Sequence, residues 1–447
     1  LGERRGDFVE VIPLGGLGEV GKNMTAIGFD GTYIIVDMGI KLESILGFDD
    51  ANIGDMGRAE LINIDGIPDD SQLRGKRVAA ILLTHGHLDH IGAVGKLASQ
   101  YKAPIYGAPF TIELVKDVIR EEKNFKVTNE LRTVEPGDEV EIGDIRAEFI
   151  RITHSIPQTA CIAVRGPDGT VLCASDFKLD DEPLLGPTTD RGRLGELSND
   201  GPVAALIGAV RLDEEGPTPS ESHVRDMLRE TMDEAISGGK GVLATTFSSH
   251  IARVRSIVEL SYEFGRTPVL IGRSLRKYCS IAMDLGLVKF PPELGIHGRS
   301  NSIRNVMKKV RGPRKDYVMV VTGHQGEPNS VLTRIADKEL PFKVKKNDEV
   351  IFSASVIPNP LNISNREILE TKLKIQGARI HRDIHVSGHA GRRDTLEFIE
   401  LVRPEHLIPC HSTVDKLEIL ADIGRGAGYS NDQIHILRNG QGVNLGG

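Results

Sequence analysis

The stretch that most constrains this chain is Val78–Leu83, an apolar run ending in Thr84-His85-Gly86-His87-Leu88-Asp89-His90. The run has the length of a short buried strand, and Ile91 to Gln100 follows with helical spacing of its apolar residues. On an extended segment, residues two apart point the same way, so His85 and His87 can grip one ion. Asp89 and His90 sit at the turn into the helix and can aim at a second. Imidazole and carboxylate ligands without thiolate suit zinc, or manganese where carboxylates dominate. The bland alternative is four polar residues on an exposed loop, a pattern that chance rarely produces at 14 histidines in 447 residues.

One motif supplies too few ligands for two metals, and further candidates sit where strands end. His154 follows the strand Ile145 to Ile152, Asp176 follows Val171 to Ala174, and His411 follows Leu407 to Pro409. Each alone is weak, because a lone histidine is usually structural and a lone aspartate usually a turn or cap. Near the start, Gly16, Gly18 and Gly21 match the G-x-G-x-x-G spacing of a dinucleotide loop. That reading is rejected, because such a loop must open a helix. Here Met24 to Phe29, Asp30-Gly31 and Tyr33 to Asp37 read as a hairpin, which leaves the glycines to tight loops near a site.

From about Leu206 the texture changes to strand–helix alternation. Ser220 to Ser237 reads as a helix capped by Ser220, Gly241 to Thr246 as a strand, Ile251 to Phe264 as a helix and Val269 to Ile271 as a strand. Val318 to Val321 and Val350 to Ser353 read as further strands, and Asn365 to Gln376 as a helix. This predicts a parallel-sheet domain inserted into another. Asp383 to Ala390 and Leu407 to Ser412 then read as strand-to-loop passages. The expected boundaries are 1–207 and 373–447 for the split domain, and 208–372 for the insert.

A net charge of −8 speaks against a basic coating protein, but not against a nuclease whose metal ions hold phosphates. The chain has no Trp, which argues against base stacking as the main binding device. Cys161, Cys173, Cys279 and Cys410 are too scattered for a finger or disulfide framework, so a reducing, cytoplasmic setting is expected. Neither a signal segment nor a membrane span is expected.

The order His85-x-His87-x-Asp89-His90, His154, Asp176, His411 resembles the metallo-β-lactamase superfamily. That resemblance implies an αββα sandwich with two Zn²⁺, or Mn²⁺ or Mg²⁺ in their place. His85, His87 and His154 hold one ion, Asp89, His90 and His411 the other, and Asp176 bridges them. Asp89 and Asp176 count as catalytic through a metal-activated water. The insert, with a mostly parallel sheet flanked by helices, and His385-Val386-Ser387-Gly388-His389-Ala390 narrow the resemblance to the β-CASP nucleases, and within them to the RNase J family. Gly15 to Met24, Thr245 to Ser249, Gly272-Arg273-Ser274, Thr322 to Pro328 and Phe352 to Ser355 also match.

By that resemblance the chain is a 5′-to-3′ exoribonuclease on single-stranded RNA with a 5′-monophosphate end, in RNA processing and decay. His389 is the candidate general acid for the leaving oxygen. Ser249, His385 and Ser387 line a 5′-phosphate pocket. Arg273 and Ser274 are further phosphate contacts, and Arg276, Lys277 and the basic run Arg304 to Lys315 lend charge. A homodimer is expected. The alternatives are an endoribonuclease of the β-CASP type, a catalytically weak RNA-binding subunit, and a small-molecule hydrolase, which leaves the insert unexplained.

The sequence departs from the family pattern in three places. Gly208 stands where an acid usually opens the insert, so its role is expected to pass to Asp213, Glu214 or Glu221, or to be absent. Gln158 stands where an Asp is common. The chain ends soon after Gly440, so the C-terminal domain of bacterial relatives is not expected, and the compact length resembles the archaeal type.

Overall fold

The computed structural model describes residues 8–45 and 54–446. The chain divides into two compact units: residues 1–181, 187–218 and 387–447 in the first, and 182–186 and 219–386 in the second.

The first unit opens with β1 (Val9–Gly15), β2 (Met24–Phe29), β3 (Thr32–Val36), β4 (Arg77–Leu83), β5 (Ile105–Gly107) and β6 (Leu131–Thr133). It continues with β7 (Glu139–Ile142), β8 (Ile145–Arg151), β9 (Ala160–Gly166), β10 (Gly169–Ala174) and β11 (Ala204–Gly208). The second unit contributes β12 (Val242–Thr245), β13 (Thr267–Ile271), β14 (Gly295–His297), β15 (Tyr317–Val321), β16 (Glu349–Phe352) and β17 (Arg379–His381). The chain then returns to the first unit for β18 (His406–Cys410) and β19 (Val443–Leu445).

In the first unit a seven-stranded sheet runs β19-β1-β2-β3-β4-β5-β6, and a six-stranded sheet runs β18-β11-β10-β9-β8-β7. Alternation along each strand explains why they stack. Val9, Val11, Ile27, Phe29, Ile34, Val36, Ala80 and Leu82 meet Ala147, Phe149, Ile162, Val164, Val171, Cys173, Leu206 and Ile408 in one core. The intervening residues Ile150, Cys161, Ala163, Leu172, Ala205 and Ile207 face the other way. They are covered by Leu194, Leu197, Phe398, Leu417 and Leu420 from the helices Arg191–Asp200, Arg392–Val402 and Val414–Gly426. Each large apolar side chain buried so contributes about 1.5–3 kcal/mol.

Strand direction places the site. β3 and β4 run parallel, as do β10, β11 and β18, and two antiparallel steps bring β8 into line with β10. The carboxyl ends of β8, β10, β11 and β18 therefore share one edge of their sheet, and those of β3 and β4 share one edge of theirs.

The second unit is built on a six-stranded sheet in the order β14-β13-β15-β12-β16-β17, and every pairing is parallel. Met319, Val321, Val350 and Phe352 pack against Ile303, Met307, Leu332, Leu369 and Leu373 from the helices Ser300–Val310, Val331–Ala336 and Pro360–Ile375.

Several boundaries differ from the sequence expectation. The first crossing lies at 218/219 rather than 207/208, because Ala209 N still bonds Cys410 O at 3.0 Å inside the first unit. The second compact unit runs on to 386, past the domain boundary expected at 372/373, because β17 pairs with β16. Residues 382–390 form a loop, not a strand passage. The expected helix from Ile91 to Gln100 is broken into Leu88–Ile91, Val94–Leu97 and a 3₁₀ turn at Ala98–Gln100. The break has a cause: Ala93 N turns outward to Met38 O at 2.9 Å.

Gly208 ends β11 against the loop after β10, where a Cβ would lie 1.6 Å from Ser175 O. No side chain fits there without moving the backbone beside Asp176. Gly208→Ala is expected to cost about 1–3 kcal/mol of stability, as overpacking does. Gly216→Ala, where a Cβ meets nothing within 4 Å, is expected to change little. Thermal unfolding of the two variants checks the contrast, and equal midpoints would contradict it.

Candidate metal centre

The seven candidate ligands come together in the first unit. His85, His87, His154 and Asp176 form one group and Asp89, His90, Asp176 and His411 a second, with the ligand atoms of each group within 4.8 Å of one another. Asp176 belongs to both. Its Oδ2 lies 3.5 Å from His85 Nε2, 3.5 Å from His154 Nε2 and 3.4 Å from His90 Nε2. Its Oδ1 lies 3.1 Å from His411 Nε2. Asp89 Oδ2 is 3.8 Å from His90 Nε2 and 3.5 Å from His411 Nε2. His87 faces the first group through Nδ1, 3.1 Å from His85 Nε2 and 3.2 Å from His154 Nε2. Spacings of this size are close to the edges of a tetrahedron with metal–ligand bonds of about 2 Å.

The remote ring nitrogens confirm the fit. His154 Nδ1–H donates to Gly388 O at 2.6 Å, and His90 Nδ1–H donates to Asp37 Oδ2 at 2.8 Å. Thr84 Oγ1 donates to Asp37 Oδ2 at 2.8 Å and accepts from His85 Nδ1–H at 3.0 Å. The hydrogen-bond network thus assigns the tautomer that leaves Nε2 of His85, His90 and His154 bare toward the centre.

Charge agrees. Burial holds His85, His87 and His154 well below the usual histidine range, and so neutral. Burial alone would raise Asp176, but His411, His389 and His90 outweigh it and hold the carboxyl well below the usual range. Burial lowers His90 too, yet Asp176, Asp37 and Asp89 push it well above its ordinary value. A dication held there would take the place of that proton.

Sequence reasoning missed the supports. Asp37 follows β3 with φ of 62°, and it orients His90 directly and His85 through Thr84. Its Oδ1 also accepts from Thr84 N at 2.8 Å. One carboxylate thereby sets a histidine of each group. The only signal was an apolar strand ending in an acid, as at Asp176. Asn23, from the glycine-rich loop, gives its N–H and its Nδ2–H to Asp89 O at 3.0 and 3.1 Å. The glycines of that loop allow the close approach of its own backbone, since a Cβ on Gly15 would lie 1.8 Å from Lys22 O and one on Gly16 2.3 Å from Asn23 Oδ1, and outside the loop a Cβ on Gly39 would lie 1.6 Å from Asp89 O.

His389 joins the same centre, its Nδ1 3.7 Å from Asp176 Oδ1 and its ring 5.0 Å from that of His154. Its side chain is 26% exposed, against 1% for Asp176, so it stands at the mouth. Burial pushes its pKa down, and Asp176 works against that shift. Ser387 Oγ accepts from His389 N at 3.0 Å.

The other candidates lie in the second unit at the carboxyl ends of its strands. Ser249 follows β12, Arg273 and Ser274 follow β13, and His385 follows β17. Ser274 Oγ is 2.9 Å from Ser248 Oγ. His385 is pushed down to about 2 by burial, then by Arg253 and His250. In the basic run, Arg314 is structural, bonded to Asp348 and to Lys343 O. Arg304, Lys308 and Lys309 are exposed on a helix whose Ile303, Val306, Met307 and Val310 are buried. The three acids expected to replace the one missing at Gly208 have other partners. Asp213 pairs with Lys416 at 3.1 Å, Glu214 lies 3.9 Å from Arg211, and Glu221 is held by Arg253 in the second unit.

The chain is similar to known proteins along nearly its whole length. Residues 17–225 match the family model of the metallo-beta-lactamase superfamily, and 239–369 that of the ribonuclease J beta-CASP domain. Residues 375–436 match the Zn-dependent metallo-hydrolase RNA specificity domain. The chain is 42% identical to ribonuclease J of Methanocaldococcus jannaschii, over 97% of this chain and 98% of that one. It is also 42% identical to ribonuclease J of Pyrococcus abyssi, over 99% and 98%. A crystal structure of a protein of unknown function from Enterococcus faecalis shares the fold, with a TM-score of 0.63, 17% identity, and coverage of 98% of this chain and 100% of that one.

Asp37→Ala is expected to lower divalent-metal affinity about 10–100-fold, the usual effect of losing a carboxylate behind a ligand histidine. Competition with a chromophoric chelator measures it, and wild-type affinity would show that Asp37 does not set the ligands.

Proposed function

Because the chain belongs to the ribonuclease J family and is a metal-dependent ribonuclease, we propose that it is a two-zinc 5′-to-3′ exonuclease that recognises a 5′-monophosphate end. The observation that carries this reading is the shared Asp176 with His389 beside it. A pair of divalent ions supplies Lewis-acid activation of water and neutralises phosphate charge. His85, His87 and His154 hold one ion, Asp89, His90 and His411 the other, and Asp176 spans both. Ligands of nitrogen and oxygen suit zinc, with Mn²⁺ or Mg²⁺ as substitutes.

Two dications carry four positive charges against the two carboxylates Asp89 and Asp176. The centre keeps a surplus that attracts a phosphodiester although the chain is acidic overall. His389, at the mouth, gives a proton to the leaving oxygen, a step worth about 10²–10⁴-fold. Ser249, His385, Arg273 and Ser274 occupy the strand ends of a parallel sheet, the usual ligand-binding edge of such sheets. They are assigned to phosphate groups, and so, separately in the first unit, is Ser387. A pocket fitted to a monophosphate leaves the extra charge of a triphosphate unpaired, which gives selectivity by rejection. Four buried free thiols suit a reducing, cytoplasmic setting, and assembly as a homodimer is expected from the resemblance. Among the described residues no helix is long and apolar enough to cross a membrane.

Digestion of end-labelled RNA with defined 5′ groups tests the reading. A 5′-monophosphate substrate is expected to yield mononucleotides, with triphosphate and hydroxyl ends degraded more slowly. Internal fragments regardless of the 5′ group would instead make the enzyme an endonuclease. His389→Ala is expected to lose at least about 100-fold in cleavage while keeping its metals. Ser387→Ala is expected to narrow the preference for monophosphate over triphosphate ends, and an unchanged preference would remove Ser387 from the phosphate contacts.

A further inference from the structure

No carboxylate fits at Gly208 to orient His389, so something else must hold that residue. Within the first unit, the segment after β11 is laced to the segment carrying His389. Thr218 Oγ1 donates to His389 O at 2.8 Å and accepts from Gly391 N at 3.0 Å and from Arg211 Nη1 at 3.1 Å. A hydroxyl has one proton and two lone pairs, so all three are engaged. Thr218 N in turn donates to Asp394 Oδ2 at 2.9 Å, from the first turn of the helix Arg392–Val402. Thr218 and Asp394 are both buried, at 6% and 3% exposure. Two more bonds join the same segments: Arg392 N to Glu214 O at 3.1 Å and Arg392 Nε to Leu212 O at 2.7 Å. The fit is close, since a Cβ on Gly391 would lie 2.4 Å from Gly216 O.

We propose that Thr218, anchored by Asp394, is the positioning residue for His389, setting its imidazole through the backbone where family members are expected to use an acid. The inference rests on the reading of His389 as general acid. Thr218 holds the carbonyl of residue 389 and the amide of residue 391, so it fixes the two peptide planes on either side of Ala390, the first of which carries the His389 carbonyl. Ser387 Oγ holds the amide of residue 389 from the other side. With both its N–H and its C=O bonded, the backbone of residue 389 has little freedom, and the direction of its Cα–Cβ bond, from which the imidazole is aimed, follows. A small misplacement of a proton donor lowers rate without weakening substrate binding.

Thr218→Val keeps the shape and deletes the hydroxyl. In the metal-loaded full chain, kcat on RNA is expected to fall about tenfold or more with KM and metal content near wild type. With bis(p-nitrophenyl) phosphate, whose leaving group departs without a proton, the loss should shrink to about twofold or less. His389→Ala should show the same dependence on the leaving group. The double variant should be no slower than His389→Ala alone. Thr218→Ser should restore most of the RNA activity. Amide hydrogen exchange across His389–Gly391 should quicken in Thr218→Val and not in Thr218→Ser. Wild-type kcat on RNA, equal losses on both substrates, or losses that multiply with those of His389→Ala would each overturn the proposal. If Thr218→Val does not fold, Asp394→Asn carries the same comparison: a selective, smaller loss supports the proposal and an unselective one overturns it. A His389→Ala enzyme that cleaves RNA at the wild-type rate would refute the general-acid reading itself, whereas quickened exchange in Thr218→Val would still show the backbone clamp.

Discussion

One buried carboxylate organises the first unit. Asp176 faces the imidazoles of His85, His90, His154 and His411 at 3.1–3.5 Å. An unpaired charge in that interior is very costly, and here surrounding histidines rather than water hold it ionised. The histidines come from the ends of three strands, β4, β8 and β18, and the carboxylate from the end of a fourth, β10. Here a stacked pair of sheets brings those strand ends together and so assembles the set. The sandwich is therefore the means by which residues more than 300 positions apart meet.

That dependence explains what was legible in the sequence. The motif from His85 to His90 is local, and its spacing alone announces a metal. His154, Asp176 and His411 were legible because each follows a well-patterned strand. Asp37 follows a strand too, yet a single acid before Met38-Gly39 looks like a turn residue, and its task shows only once Thr84 and His90 lie beside it. Thr218 left no signal at all. It acts on a backbone carbonyl and a backbone amide, which every residue type carries.

The insert was legible for a different reason. Alternating strands and helices of ordinary length predict a parallel sheet, and the parallel order β14-β13-β15-β12-β16-β17 follows. Its edges were not legible. β17 has three residues, too few for periodicity to register, and Gly208 to Thr218 has no regular structure beyond β11. Those eleven residues were assigned to the insert because they follow the change in texture. Hydrogen bonds, not pattern, tie them to the first unit.

The acidic character of the chain and its action on RNA are compatible because the relevant field is short-ranged. At physiological ionic strength, exposed charges are screened over about 8 Å. The net charge of −8 is spread over a surface of 18703 Å², so a phosphate at the site feels chiefly what lies within a few ångströms. There the candidate ligands are five imidazoles and two carboxylates, so that two bound dications would leave the centre cationic. Asp37 adds a third carboxylate one step back, bonded to His90 and Thr84 rather than pointed at the ions. It strengthens the ligands without adding a first-contact anion. Selectivity for an anionic substrate thus needs no basic surface; it needs the carboxylates nearest the ions to be few, and the fold supplies Asp89 and Asp176.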